Sequence, residues 1–235
     1  MPHATGWTLA IAAMLAAMPV AQGMEATPVD AEDVKVMSSE AFLRAHPDMK
    51  HRSEGWKAYT DADFELARTH FLKAAAYGDK PSQGMLAEMA WKGQGQPEDR
   101  PTAYAWADIA AERGYRHFVA QREFYWRELS EHEQARALEL GQPLLAEYRD
   151  DVARPRLARH LRRARFHMIG GRPRRDATVV VPGPDGLPMR IRGHDFYAEK
   201  FWQPAAYQAW VDQVWTDPPE QNVDVGDPER VKDGR

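Results

Sequence analysis

The chain has 235 residues, 43% of them hydrophobic, 28% charged and 10% aromatic, with a formal net charge of −4 and no cysteine. That is enough chain for one domain with a substantial core, or one domain plus a small appendage; it is too polar for an integral membrane protein and too aromatic for a disordered one. The lack of cysteine excludes a disulfide framework, thiolate metal sites, a cysteine nucleophile and a lipid-modified N-terminal cysteine.

Residues 1–23 contain no Asp, Glu, Lys or Arg, and Leu9–Val20 is an apolar run. The run is shorter than the ~20 apolar residues that span a bilayer. Ala21-Gln22-Gly23 then offers small residues to a signal peptidase. Residues 1–23 are therefore expected to be a cleaved signal peptide, and the mature protein to be periplasmic or secreted with no integral membrane span. Residues 24–50 are polar and read as a flexible leader, with a short helix near Glu40–Ala45.

Residues 51–148 are helical in pattern throughout. Phe64, Ala67, Phe71, Ala74 and Ala75 fall at helical spacing, and Met85, Leu86, Met89 and Ala90 make a second apolar face. Pro101 suits a first helical turn, and Ser130 with Glu133 forms a capping-box signature. Pro143 and Pro155 lack a backbone N–H, so a restart or kink is expected at each. Shifting the sequence by 36 residues superposes Asp63 on Asp99, Ala67 on Ala103, Ala74 and Ala75 on Ala110 and Ala111, and Gly78 on Gly114. Small residues recur where two helices approach closely, and Gly recurs where the second helix ends. One amphipathic hairpin of this size cannot bury its apolar face alone, but stacked copies can. The pattern implies an α-hairpin solenoid.

The stretch Leu86–Gly114 resembles a SEL-one-like repeat, a relative of the tetratricopeptide repeat. The pattern is matched at Leu86, Met89, Gly93, Gly95, Asp99, Ala103, Trp106, Ala110, Ala111 and Gly114, with departures at Ala87, Ala90 and Gln96. The preceding unit is more tetratricopeptide-like around Gly55-Trp56 and Ala58-Tyr59, and the unit after Gly114 resembles a terminal capping hairpin. The resemblance implies a binding scaffold with a protein partner, many bacterial members being exported, and transfers no catalytic residue or cofactor.

Past residue 148 the composition changes. Arg149–Asp176 carries ten Arg against three Asp, so the rest of the chain is net acidic. Arg154, Arg156, Arg159, Arg162, Arg163 and Arg165 wrap a predicted helix whose apolar stripe is Leu157, Leu161 and Ala164; Arg172, Arg174 and Arg175 follow in a linker ending at residue 175. These nine arginines are candidate ligands for an anionic envelope component, the alternative being an intramolecular match to the chain's own acidic surface. Nucleic acid is not an expected partner of an exported protein. In residues 176–216, Thr178–Val181 and Met189–Arg192 read as strands around the turn Pro182-Gly183-Pro184-Asp185-Gly186. A lone hairpin is marginal in water, and Phe196, Tyr197, Phe201, Trp202, Tyr207, Trp210 and Trp215 supply a surface to cover it. A final helix beginning at Pro204 is expected, followed by a disordered tail over residues 217–235.

Catalytic signals are weak. Gly93-Gln94-Gly95 lacks the Gly-Lys-Ser/Thr ending of a phosphate loop, and His132-Glu133 has Arg136 where a metalloprotease helix has its second His. His160 and His167 lie among arginines, a poor cation site. His194-Asp195 is a candidate acid–base pair for an enzyme acting on envelope polymers, without a nucleophile to partner it. The expected fold is thus mainly α, a hairpin solenoid with a C-terminal β-hairpin and aromatic-rich helix, and the expected function is non-enzymatic.

Overall fold

A computed structural model describes residues 29–169 and 175–216. The signal-peptide expectation, Arg172, Arg174 and the C-terminal tail lie outside the described residues, as does the side chain of His167.

The repeat region is a stack of helices. α3 (Pro47–Thr60) pairs with α4 (Phe64–Ala75), and α5 (Lys80–Lys92) with α6 (Arg100–Ala111); α7 (Arg116–Glu128) and α8 (Glu131–Tyr148) both lean on α6 rather than closing on each other. The superposed residues of the 36-residue shift have matching roles. The carboxylates of Asp63 and Asp99 cap α4 and α6, accepting from Leu66 N and Thr102 N, each at 3.1 Å. Ala67, Ala74, Ala75, Ala103 and Ala110 are wholly buried and Ala111 nearly so, which brings the helices close. Gly78 and Gly114 follow the ends of α4 and α6 with φ of 79° and 72°, a left-handed conformation that a side chain would strain. Trp106 is buried in the same core as Ala67, Ala75 and Ala103, against Tyr148 of α8 with ring centroids 4.8 Å apart.

Between α3 and α4 the contact is closer still. A Cβ at Gly55 would sit 2.7 Å from two ring carbons of the buried Phe71. The absence of a side chain there sets the separation of the first hairpin.

α8 and α9 (Asp150–Ile169) continue through Pro143 and Pro155, so the chain does not restart at either proline. The carbonyls four residues earlier belong to Glu139 and Asp151, both exposed residues, so the acceptor that each proline leaves free is within reach of solvent.

A second core corrects the leader expectation. Among the described residues two helices precede the repeats: α1 (Ala31–Ser38), with a reciprocal Asp30–Asp33 capping box, and α2 (Glu40–Ala45), capped by Ser39 and falling where the sequence predicts a short helix. α3 starts at Pro47 rather than at residue 51. The segment is ordered because Val36, Phe42, Ala45 and Met49 are buried against Leu157 and Leu161 of α9, together with the C-terminal aromatics. Those aromatics come from α10 (Gly193–Phe196), α11 (Glu199–Trp202) and α12 (Pro204–Thr216), and include Phe196, Phe201, Trp202, Tyr207 and Trp210. The hairpin of β1 (Thr178–Pro182) and β2 (Pro188–Arg192) pairs Val179 with Ile191 and Val181 with Met189, and buries Val181 and Ile191 in the same core. The hairpin and C-terminal helices therefore share their core with the chain's first helices. The aromatic surface exceeds what one hairpin can cover, and the amphipathic turns of α1 and α2 complete the cover.

His46, between α2 and α3, sits inside this core. Its ring stacks on Phe42 at 3.7 Å, and its two nitrogens lie 2.8 Å from Phe42 O and 2.6 Å from Phe201 O. A neutral imidazole donates through one nitrogen only. Burial outweighs the two carbonyls and lowers its pKa to about 4.

Two measurements check this packing. Gly55→Ala should lose about 1–2 kcal/mol in urea unfolding, because overpacking against Phe71 outweighs the ~1 kcal/mol that alanine gains in a helix; a stabilised variant would show that α3 and α4 part freely. His46 should make the fold acid-sensitive. Its stabilising preference for the neutral state is intact above pH ~6.5 and is lost as pH falls toward 4, where the unfolded chain binds a proton that the folded chain refuses. Buried Asp48 and Asp79, whose pKa values are raised by desolvation, push the other way. The readout is therefore the difference between wild type and His46→Phe, which should change by up to about 3 kcal/mol between pH 7 and pH 4; a constant difference would exclude the role.

Candidate functional site

Three features offer chemistry at the surface or at the junction of the two cores. The first is an aromatic edge. Tyr59, Trp91 and Trp126 fall at the C-terminal ends of α3, α5 and α7, each half-buried. Trp91 lies flat on Tyr125, with centroids 4.2 Å apart and planes 5° apart; Phe124 packs at its side at 6.2 Å, and the Arg100 guanidinium sits 4.9 Å above the ring. Trp126 leans on Tyr104 at 4.7 Å, and Tyr59 donates its hydroxyl to Gln94 Oε1 at 3.1 Å. The contacts hold these rings in place while leaving edges and faces open. Phe124 is 39% exposed and Leu138 of α8 is 55% exposed. In composition this is what protein interfaces favour: rigid aromatics and arginine with polar neighbours.

The second feature is the basic helix α9, whose arginines divide. Arg154 spends its charge internally, on Asp212 Oδ2 at 2.6 Å and Asp150. Arg156 bonds the carbonyls of Ala76 and Glu147. Arg175, beyond the helix, lies 3.7 Å from Glu199. Arg159, Arg162, Arg163 and Arg165 are exposed and have no carboxylate partner among the described residues. Arg162 and Arg165 border an open groove of about 440 Å³ whose other wall is the start of α12, from Gln203 to Gln208.

The third feature is a buried ionic junction. Lys80 is fully buried, donates to Ile109 O at 2.8 Å and Glu112 Oε2 at 2.9 Å, and forms an ion pair with Asp150 Oδ1 at 3.1 Å. Three acceptors match the three N–H bonds of an ammonium, although burial lowers its pKa. Asp150 also takes a two-pronged bond from Arg113, at 2.7 and 2.9 Å. Burial opposes its ionisation, but Arg113 and then Lys80 outweigh burial and hold its pKa below the usual carboxylate value. Arg113 continues to Gly78 O at 2.9 Å, and Tyr115 donates to Asp212 at 2.5 Å. The cavity here is about 20 Å³, room for a water molecule and not for a substrate.

His194 and Asp195 form no such site. Their side chains approach to 3.3 Å, but His194 is 83% exposed and Asp195 is held at 2.6 Å by Arg192 in the turn into α10. The repeat-defining residues act structurally. Leu86, Ala103, Trp106, Ala110 and Ala111 are core, Asp99 is a cap, and Gly93, Gly95 and Gly114 take positive φ in turns. No described helix is long and apolar enough to cross a membrane. Composition showed the arginines but could not divide them; the aromatic edge was hidden because its rings come from three helices whose sequence spacing is irregular.

No protein-family model matches the chain, and a search of curated proteins finds no match. Among solved structures, one similar chain is a protective antigen present in uropathogenic Escherichia coli strains and displaying an SLR fold; it is 21% identical, with a TM-score of 0.41 and a match covering 53% of this chain and 26% of that one. The chain therefore spans about a quarter of that neighbour's length. The helical-hairpin architecture rests on this chain's own caps, turns and packing.

Proposed function

We propose that the protein is an exported, non-catalytic scaffold that binds a protein partner along its helical-repeat surface. The observation that carries this reading is the aromatic edge at the ends of α3, α5 and α7, where Trp91 is stacked flat and flanked by Phe124 and Arg100. Rigid aromatics of this kind lose little entropy on docking and supply most of the energy at interfaces. The test is capture of a partner from a periplasmic extract. Phe124→Asp and Trp91→Ala, each checked for native helicity, should lower its recovery by roughly tenfold or more, the ~1.4 kcal/mol expected of one anchor. Unchanged recovery with both variants would refute the edge as the docking surface. Export is tested separately: recovered mature protein should begin near Met24, and an intact Met1 on cytoplasmic protein would refute it.

A second reading is favoured by Arg159, Arg162, Arg163 and Arg165, four exposed cations on α9 without carboxylate partners among the described residues. They suit an anionic envelope component. Binding to vesicles rich in phosphatidylglycerol should then fall steeply between low and high salt and be lost in Arg162→Glu/Arg165→Glu. Salt-insensitive partner capture with no vesicle binding leaves the aromatic edge as the working surface.

A further inference from the structure

One side-chain cluster lies outside the surfaces described above. His51 and Glu54 are three residues apart on α3 and so share a face, and His70 of α4 meets them across the first hairpin. His51 Nδ1 lies 2.8 Å and His70 Nδ1 3.0 Å from the same oxygen, Glu54 Oε2. All three donor atoms fall within 4.8 Å of one another. The bare Gly55, next to Glu54, and Phe71, next to His70, set the close helix approach that brings the three together.

We propose that His51, Glu54 and His70 form a binding site for a first-row transition-metal dication of the zinc class. Bonds of about 2.0–2.1 Å in a tetrahedral site place donor atoms roughly 3.3 Å apart. The two nitrogen–oxygen distances are already slightly shorter, and no donor pair has to close by more than roughly 1.5 Å, within the reach of side-chain torsions. The alignment of His70 supports convergence on a common centre. Its Nδ1 is buried and, although 3.0 Å from the carboxylate, makes no hydrogen bond to it. His51 Nδ1, by contrast, hydrogen-bonds Glu54 Oε2 at 2.8 Å, and a bound ion would replace the proton between them. Two imidazoles and one carboxylate suit Zn²⁺, Co²⁺, Ni²⁺ or Cu²⁺, whereas Mg²⁺ and Ca²⁺ take oxygen ligands. Among the described residues, the other ion pair of the cluster is with Lys50, whose Nζ is 3.9 Å from Glu54 Oε1, the oxygen that neither histidine contacts. Glu54 is 37% exposed against 22% for His51 and 18% for His70, so the site opens to solvent and leaves a coordination position for water or a donor from a partner. A bound ion would cross-link α3 to α4, and so would stabilise the hairpin that joins the two cores.

The experiment uses the tag-free mature chain with ZnCl₂ or CoCl₂ alone. Calorimetric titration should show one Zn²⁺ per chain, a raised thermal midpoint and reversal by EDTA. His70→Ala and the near-isosteric Glu54→Gln should each weaken binding by at least about tenfold, while His160→Ala and His194→Ala leave it unchanged. Co²⁺ should give the intense visible bands of a four- or five-coordinate site, a readout on the unaltered protein that does not depend on how the variants fold. Absence of uptake, uptake insensitive to both ligand variants, or the faint spectrum of an octahedral all-oxygen site would overturn the proposal and leave a His51–Glu54 hydrogen bond beside a buried His70 only.

Discussion

The architecture turns on Asp150, the first residue of α9, which sits between two buried cations. Lys80 ties it to the end of α6 through Ile109 O, and Arg113 ties it to the turn at Gly78. The two repeat turns and the start of α9 are thus joined at one carboxylate. Desolvating three charges is costly, and the geometry offsets that cost only because each donor finds an acceptor. Removing one partner from such a site strands the others, a loss of about 3–5 kcal/mol. An apolar contact of equal size would tolerate sliding; a two-pronged guanidinium–carboxylate bond does not, so the junction sets the direction in which α9 leaves the repeats.

That direction has consequences for both faces of α9. Its Leu157 and Leu161 enter the second core, which holds the aromatic C-terminal helices, the β-hairpin and the two N-terminal helices. Its Arg159, Arg162, Arg163 and Arg165 face solvent. Arg154 extends the ionic junction to Asp212 of α12, so the last described helix is tied to the same network. α3 is the other shared element: Met49 near its start belongs to the second core and Ala58 near its end to the first. The solenoid and the C-terminal unit are therefore joined by these two helices, by the charge network and by Trp215 of α12 packed on Phe118 of α7. The aromatic edge and the basic face lie on different elements, so they can be perturbed separately.

Much of this was legible locally. The capping aspartates at 63 and 99, the glycines at 78 and 114, the Ser130–Glu133 box and the Pro182–Gly186 turn are short-range signals, and each does in the structure what its chemistry allows. The leader was misread for a physical reason. α1 and α2 are short and carry Glu32, Lys35 and Glu40 on their outer faces, so their few apolar residues look incidental until the C-terminal aromatics need covering. The helices do not restart at Pro143 and Pro155 because the carbonyls that the prolines free belong to exposed residues, a matter of which way the helix faces.

The sequence by itself determined the helical hairpins, their caps and turns, the β-hairpin and the basic character of α9, because these depend on residues within a few positions of one another. Only the tertiary structure decided which arginines are spent internally, which rings form a common edge, and that His51, Glu54 and His70 converge. Each of these depends on elements brought together across tens of residues, and on small residues such as Gly55 that set how close two helices can come.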